Sequence, residues 1–466
     1  MKTAKISRRG FLRSSAGVAA ALTLAPRHVL GGARFVPPSE KVNIAIVGAG
    51  GQGRANVRAL FQQADAQVIA VCDPNERANY DEYYYKGEAG RRPVRAEIEA
   101  HYAARTPNYR CAEYEDFRVL FERERAIDAL LCATPDHLHA LVCIRAMRMG
   151  KHVYCEKPLT HSVAEARAVA RVARETGVAT QMGNQGHSGD GIRTTCEWIW
   201  DGAIGPVREV HGWTGAAKWF THRGLPADRP PVPAGLNWDL WLGPRQPRPY
   251  HPTYAPVKWR SYWEFGTSMI GDMACHNLDP AVWALDLHAP AHVEACGSQV
   301  DPVTTPAGGI YRFQFGTRGQ QPPVKVVWYD GGLRPERPAD LPEEDAMGSN
   351  GVLFIGDRGV LMCPGWGGPP TLLPEARMDA YRRPPKTLPR SKGHHRDWLD
   401  ACKGGPPASA SFEYGARITE LVLLGNVAMR AGKRIDWDGA AMKATNAPEA
   451  DQYLHSSYRP GWELES

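Results

Sequence analysis

Short β-branched apolar runs alternate with amphipathic stretches over the first half of the chain. Val42-Asn-Ile-Ala-Ile-Val47 reads as a buried strand, Arg54 to Gln63 as a helix, and Gln67 to Cys72 as a second strand ending at Asp73. Ala126 to Ala133 reads as a further buried strand, followed by a helix from about Ala140 to Met149. Lys151 to Cys155 is a strand, about Val163 to Thr176 a helix, and Ala179 to Met182 a strand. Strand–helix–strand alternation at this spacing predicts a right-handed parallel sheet. The polar stretch Tyr80 to Pro107 reads as an inserted helix and loop without an assigned role. Beyond Asn184 the pattern changes to short strands at Val207 to Gly215, Val293 to Val300, Ile310 to Phe315 and Val324 to Tyr329. A hairpin follows about Gly356-Asp-Arg-Gly359. That half predicts an open, mainly antiparallel sheet.

Gly48-Ala-Gly-Gly-Gln-Gly53 follows the first strand directly and opens the first helix, which is the context G-x-G-x-x-G needs. Its glycines allow a tight turn and close backbone approach, while the helix N-terminus offers N–H groups to a pyrophosphate. Asp73 lies where a carboxylate accepts hydrogen bonds from ribose hydroxyls and repels a 2′-phosphate, so NAD is expected over NADP. Arg77, nearby, keeps NADP open. Ligands of such sheets sit beyond the strand C-termini, where Thr134, His137, Glu156, Lys157 and Asn184 fall. The expected organisation is α/β: a Rossmann dinucleotide-binding domain over 40–184 and a C-terminal α/β substrate and oligomerisation domain over 185–466.

Length, 466 residues, allows two or three domains, and the balance of 43% hydrophobic to 23% charged residues excludes a disordered chain and a polytopic membrane protein. Lys plus Arg exceed Asp plus Glu by six. All six extra charges (Lys2, Lys5, Arg8, Arg9, Arg13 and Arg27) precede Ala33, five ahead of the apolar run 16–26 and Arg27 directly after it; the run is too short to be an ordinary membrane anchor. Ser7-Arg-Arg-Gly-Phe-Leu12 resembles a twin-arginine signal. The expectation is a signal over 1–33, an exported or periplasmic location, the twin-arginine machinery as transient partner, and a formally neutral mature chain. Nothing then supports a nucleic-acid partner or stable membrane insertion. Cys72, Cys132, Cys143, Cys155 and Cys296 lie in apolar runs and are expected to be buried thiols. No CxxC pair or zinc-type Cys/His spacing occurs, so no metal is expected.

Gly271-Asp-Met-Ala-Cys-His276 carries the chemistry of the second half. On a helix Asp272 and His276 share one face, with Asp279 on the same side, and a carboxylate beside an imidazole raises its basicity. For an isolated D-x-x-x-H, a helix-start carboxylate and a core histidine would be the commoner readings.

GAGGQG at 48–53, CDP at 72–74, TPDHLH at 134–139, EKP at 156–158 and GDMACH at 271–276 together resemble the Gfo/Idh/MocA family of glucose-fructose oxidoreductases and inositol dehydrogenases. The resemblance extends to Ile435–Asp438 and Tyr458–Trp462. It implies tightly bound NAD or NADP, a homo-oligomer, and a catalytic group mapping to Lys157, Asp272 and His276. It implies hydride transfer between the nicotinamide and a hydroxyl-bearing carbon of a sugar, glycoside or polyol. Gly48, Gly50, Gly51, Gln52, Gly53, Asp73, Thr134, His137, Glu156 and Lys157 are the expected cofactor contacts. Asn184, Trp259, Arg260, Asp272 and His276 are the expected substrate contacts. Nine of the 14 tryptophans lie between Trp198 and Trp283; most are expected in packing, with the remainder forming an aromatic wall for a sugar face. Two alternatives stay open: an NAD-dependent glycosidase acting by transient oxidation and elimination, and a non-catalytic sugar-binding protein.

Overall fold

A computed structural model of the chain describes residues 36–216 and 223–465. The expected signal, 1–33, lies outside the described residues.

Strands β1 (Val42–Val47), β2 (Ala66–Cys72), β3 (Ala112–Tyr114), β4 (Ala129–Cys132), β5 (His152–Cys155) and β6 (Thr180–Met182) form one sheet in the order β3-β2-β1-β4-β5-β6. All its pairings are parallel. Residues Ile44 to Ile46 and Ala129 to Cys132 are wholly buried, as expected of strands covered on both faces by α1 (Gly51–Leu60), α2 (Arg91–Ala103), α3 (Phe117–Arg123), α4 (His139–Arg148) and α5 (Val163–Thr176). Local chemistry sets the element ends. Ser162 and Glu165 form a reciprocal capping box at the start of α5, and Gly177 closes it in the left-handed conformation. Strand order reverses between β1 and β4, opening a crevice at their C-terminal ends.

The second sheet has nine strands: β7 (Val207–Thr214), β8 (His292–Ser298), β9 (Gly308–Phe315), β10 (Val324–Tyr329), β11 (Asn350–Gly356), β12 (Gly359–Pro364), β13 (Thr371–Leu373), β14 (Ile435–Asp438) and β15 (Lys443–Ala444). Their order is β13-β12-β11-β7-β10-β9-β8-β14-β15. Every pairing is antiparallel except β7 with β10. Helix α6 (Asp190–Trp200) links the two sheets in sequence, and the short α7 (Asp279–Ala284) packs against it. After α8 (His394–Cys402), the 20-residue α9 (Phe412–Ala431) lies between the second sheet and α5. It is apolar nearly all round because both sides are covered.

The chain beyond residue 388 returns to the first domain: Trp398 and Leu399 of α8 enter the core built on β1 and β2, and Arg396 and Lys403 pair with Asp65. Trp462 packs on Leu138 and Leu141. Packing therefore crosses the boundary placed after Asn184. Cys296 is exposed, not buried. Strand side chains alternate faces, and Cys296 shares its parity with Glu294 on the uncovered side of β8. Cys72, Cys132, Cys143 and Cys155 are buried. Among the described residues, no helix is long and apolar enough to cross a membrane.

Candidate active site

The glycine turn sits between β1 and α1, and two of its glycines are required by space. A Cβ on Gly53 would lie 1.9 Å from the carbonyl oxygen of Gly48, and one on Gly48, at φ +89°, 2.5 Å from Ala133. The turn thus packs backbone against backbone, and α1 begins with no side-chain cap on its amides. Asp73 closes the far end. Its Oδ2 accepts from the Ala49 N–H at 2.7 Å and its Oδ1 from the Asn75 N–H at 2.8 Å. Burial nevertheless pushes its pKa up to about 6, those bonds opposing the rise. Arg77 pairs with Glu88 at 2.7 Å.

A cavity of about 510 Å³ runs from Asp73 past Gly48, Gly50, Gly51 and Gln52 to Thr134, Glu156, Lys157, Asp272 and His276. That volume suits a small-molecule site. Glu156 is buried and three side-chain amides converge on its Oε1: Asn56 at 2.9 Å, Gln185 at 3.1 Å and Gln52 at 3.3 Å. Burial raises its pKa. A Cβ on Gly183 would fall 2.6 Å from this carboxylate, so glycine there makes room for it.

At the inner end, Lys157 Nζ donates to Asp272 Oδ1 at 2.5 Å and to the Asp272 carbonyl at 2.7 Å. Arg260 Nε donates to the same Oδ1 at 3.1 Å, and its guanidinium lies 4.0 Å over the Trp259 ring. Burial works against the Lys157 ammonium, but the Asp272 carboxylate outweighs it and holds the pKa above the ordinary lysine value. His276 is driven the other way. Burial, then the Lys157 charge, holds it well below the ordinary histidine value, so it is a neutral imidazole at neutral pH. Its Nδ1 is buried without a protein hydrogen-bond partner. Ile270–Ala274 forms a π-helical turn before the α-turn Cys275–Asn277, in place of the uniform α-helix expected. Such turns are frequent at functional sites.

Lys157, Asp272, His276, Trp259 and Arg260 all line the cavity, as do Gly48, Gly50, Gly51, Gln52, Asp73, Thr134 and Glu156. Three of the expected contacts, Gly53, Asn184 and His137, do not line it; Gly53 is packed on the Gly48 carbonyl behind the turn. Asn184 donates to Asp279 Oδ2 at 2.7 Å, and His187 and Tyr414 also bond this carboxylate, so Asn184 and Asp279 form a buried network that joins the two domains. Asp279 therefore does not share the cavity with Asp272 and His276. His137 bonds the Trp241 carbonyl at 3.0 Å and packs on Trp241 and Phe265; burial lowers its pKa to about 3. Both were expected at the ligand because they follow strand ends, yet each side chain points into neighbouring structure.

The sequence reading missed several lining residues. Tyr80, Tyr84 and Tyr85, from the insertion, lie over the glycine turn; the Tyr85 ring is 2.2 Å from where a Cβ on Gly51 would sit, and its hydroxyl donates to Gln52 Oε1 at 3.2 Å. The run Tyr80-Asp-Glu-Tyr-Tyr-Tyr85, aromatic within a polar stretch, was the available signal. Gln185, Thr214, Asn350 and Trp366 also line the cavity. Of the described tryptophans in 198–283, Trp241 and Trp259 reach it. Folding also gathers Cys132, His139 and Cys155, buried and with ligand-type atoms within 4.8 Å, although no sequence spacing indicated it. Both His139 nitrogens are already engaged, by the Pro158 and Thr134 carbonyls at 2.8 and 2.9 Å.

Two family profiles match the chain. One, described as "Oxidoreductase family, NAD-binding Rossmann fold", matches residues 42–184; the other, "Oxidoreductase family, C-terminal alpha/beta domain", matches 201–316, together more than half of the chain. A 2,7-anhydro-N-acetylneuraminate hydratase of Mediterraneibacter gnavus is 29% identical over 176 residues, 37% of this chain and 40% of that protein. A glycosyl hydrolase family 109 protein of Saccharopolyspora erythraea is 24% identical over 324 residues, 66% of this chain and 60% of its own. This chain thus spans less than two thirds of these relatives. Among solved structures, the WlbA dehydrogenase of Bordetella pertussis in complex with NADH and UDP-GlcNAcA shares the fold, with a TM-score of 0.57, 16% identity, and coverage of 85% of this chain and 99% of that one.

Proposed function

The chain belongs to the Gfo/Idh/MocA family of NAD-binding oxidoreductases, and on that premise we propose that it moves a hydride reversibly between NAD and a hydroxyl-bearing carbon of a sugar, glycoside or polyol. One observation carries the reading: Lys157, Asp272 and His276 meet in the same cavity as the glycine turn and Asp73. Gly50, Gly51 and Gln52 at the bare α1 N-terminus would hold the pyrophosphate, and Asp73 the adenosine ribose. Bound there, NAD supplies the hydride acceptor. His276, neutral and lining the cavity, takes the hydroxyl proton. Lys157, kept charged by Asp272, donates to the substrate oxygen as negative charge develops on it. Asp272 holds both cations in place. The experiment is a screen of sugars, glycosides and polyols followed by reduced-nicotinamide absorbance; no reduction with any of them contradicts the proposal.

The relation to a glycosyl hydrolase family 109 protein favours a second reading, redox-neutral glycoside cleavage. Release of phenol from a p-nitrophenyl glycoside without added cofactor separates the two, since only the hydrolase does this catalytically.

Ser7-Arg-Arg-Gly-Phe-Leu12 supports export in the folded state by the twin-arginine route. NAD is then loaded before transport and retained outside the cytoplasm, with the tyrosines over the glycine turn hindering its escape. Protein purified from the exported fraction should release NAD on denaturation; an active but NAD-free preparation overturns this. The uncovered face of the second sheet, with Glu294 and Cys296, supports a homo-oligomer, testable by light scattering.

A further inference from the structure

Trp366 is half exposed, at 48%, in a chain that buries most of its large aromatic side chains. It lines the cavity, with its ring centroid 5.9 Å from that of His276 and the planes at 50°. Its backbone is in the left-handed region, at φ +56°. For a bulky L-residue that conformation is an outlier that costs free energy, whereas glycine adopts it freely. The loop is Pro364-Gly-Trp-Gly-Gly368, so the one position with a large side chain is one where glycine would be unstrained.

The surroundings fix this conformation. Asn277, the neighbour of His276, accepts from the Trp366 N–H at 3.1 Å, and its Nδ2 donates to the Trp213 carbonyl at 2.8 Å. The Trp366 carbonyl oxygen lies 2.3 Å from where a Cβ on Gly186 would sit, so the loop seats directly on the backbone after β6. The adjoining wall is polar: Asn350 lines the cavity, accepts from Thr214 Oγ1 at 2.6 Å and binds the Gly365 amide through its carbonyl. A strained, half-exposed indole beside polar side chains, next to a buried imidazole with an unpartnered nitrogen, has no packing explanation.

We propose that Trp366 is the specificity-determining platform of the site, receiving the apolar face of a pyranose ring whose reacting hydroxyl lies at His276. This rests on the function proposed above and narrows it to cyclic pyranosides over open-chain polyols, which present no flat C–H face.

The test uses calorimetric titration of the protein loaded with NADH, which cannot accept a hydride, so binding is read without turnover; reduction is followed separately by absorbance on the NAD-loaded form. Trp366→Gly removes the ring and suits the backbone, so the melting temperature should hold or rise; Trp366→Phe keeps an aromatic face. Methyl pyranosides should bind about tenfold more weakly to the Gly variant and within about threefold of wild type to the Phe variant, a tenfold change being about 1.4 kcal/mol. An open-chain polyol of equal hydroxyl count should move less than threefold in either variant. A sharp fall in melting temperature for Trp366→Gly, equal losses for pyranosides and polyols, or a wild type that binds no pyranoside at 50-fold excess over the protein overturns the inference. Pyranosides that bind in a Trp366-dependent way without reducing the cofactor refute the proposed reaction and leave the platform standing.

Discussion

Asp272→Asn tests the charge arrangement most directly, because it preserves shape and removes one negative charge from between two cations. At 2.5 Å and an effective dielectric of about 20, Lys157 and Asp272 attract by about 7 kcal/mol, and the Arg260 contact at 3.1 Å adds about 5 kcal/mol. Burial removes several kcal/mol of hydration from each ion, so the net effect of breaking such a pair is a loss of about 3–5 kcal/mol of stability. The pH dependence gives the sharper signature. In the native protein Lys157 has a pKa above 10.5, so the stability its pairing contributes is complete below 10.5 and disappears as pH rises through the native value. In Asp272→Asn the opposing influences, burial and Arg260, are left unbalanced and lower the Lys157 pKa. Turnover that needs a charged Lys157 then acquires an alkaline limb at lower pH than in the wild type, with activity partly recovered on acidification. The assay is kcat against pH for wild type and variant, with NAD content and melting temperature measured on the same samples. A variant with uniformly reduced kcat and an unshifted alkaline limb would refute the idea that Asp272 keeps Lys157 charged.

Other perturbations follow from the same geometry. His276→Gln should lower turnover at least a hundredfold while NAD affinity stays within a few-fold. In the wild type the acid limb of kcat/KM should lie well below pH 6.5, since the base is active when neutral and its pKa is depressed; a limb centred at or above 6.5 removes His276 from the role. NAD affinity of the cofactor-stripped protein should weaken as pH falls through about 6, where Asp73 takes up a proton and stops accepting from ribose, and direct titration across pH 5 to 8 checks this. Gly53→Ala, whose methyl meets backbone at 1.9 Å, should reduce NAD retention and melting temperature more than Gly51→Ala, whose methyl meets the displaceable Tyr85 ring. Asp279→Asn should lower stability by about 2–4 kcal/mol in denaturant melts, by weakening the bonds to His187, Asn184 and Tyr414, with a smaller change in kcat per folded molecule.

The sequence by itself determined those features whose cause is local. β1, the glycine turn and α1 were legible because a buried parallel strand must be continuously apolar and the turn must admit backbone contacts that any Cβ would block. The change from a parallel to a mainly antiparallel sheet was legible from strand length and turn chemistry. Lys157, Asp272 and His276 were named through motif resemblance, yet nothing local says that a lysine at 157 and a carboxylate at 272 approach to 2.5 Å. Tertiary structure decided that contact, and with it which group is charged and which neutral: burial and the field of a neighbour set a pKa, and both come from residues remote in sequence. It likewise kept Asn184 and His137 out of the cavity lining, because a position after a strand end places a backbone near the crevice without choosing a side-chain direction. Trp366 arrives from beyond β12 through a glycine loop without periodicity. Its place beside His276 rests on a hydrogen bond from its own N–H to Asn277 and on the bare backbone of Gly186, contacts that exist only once both sheets are folded.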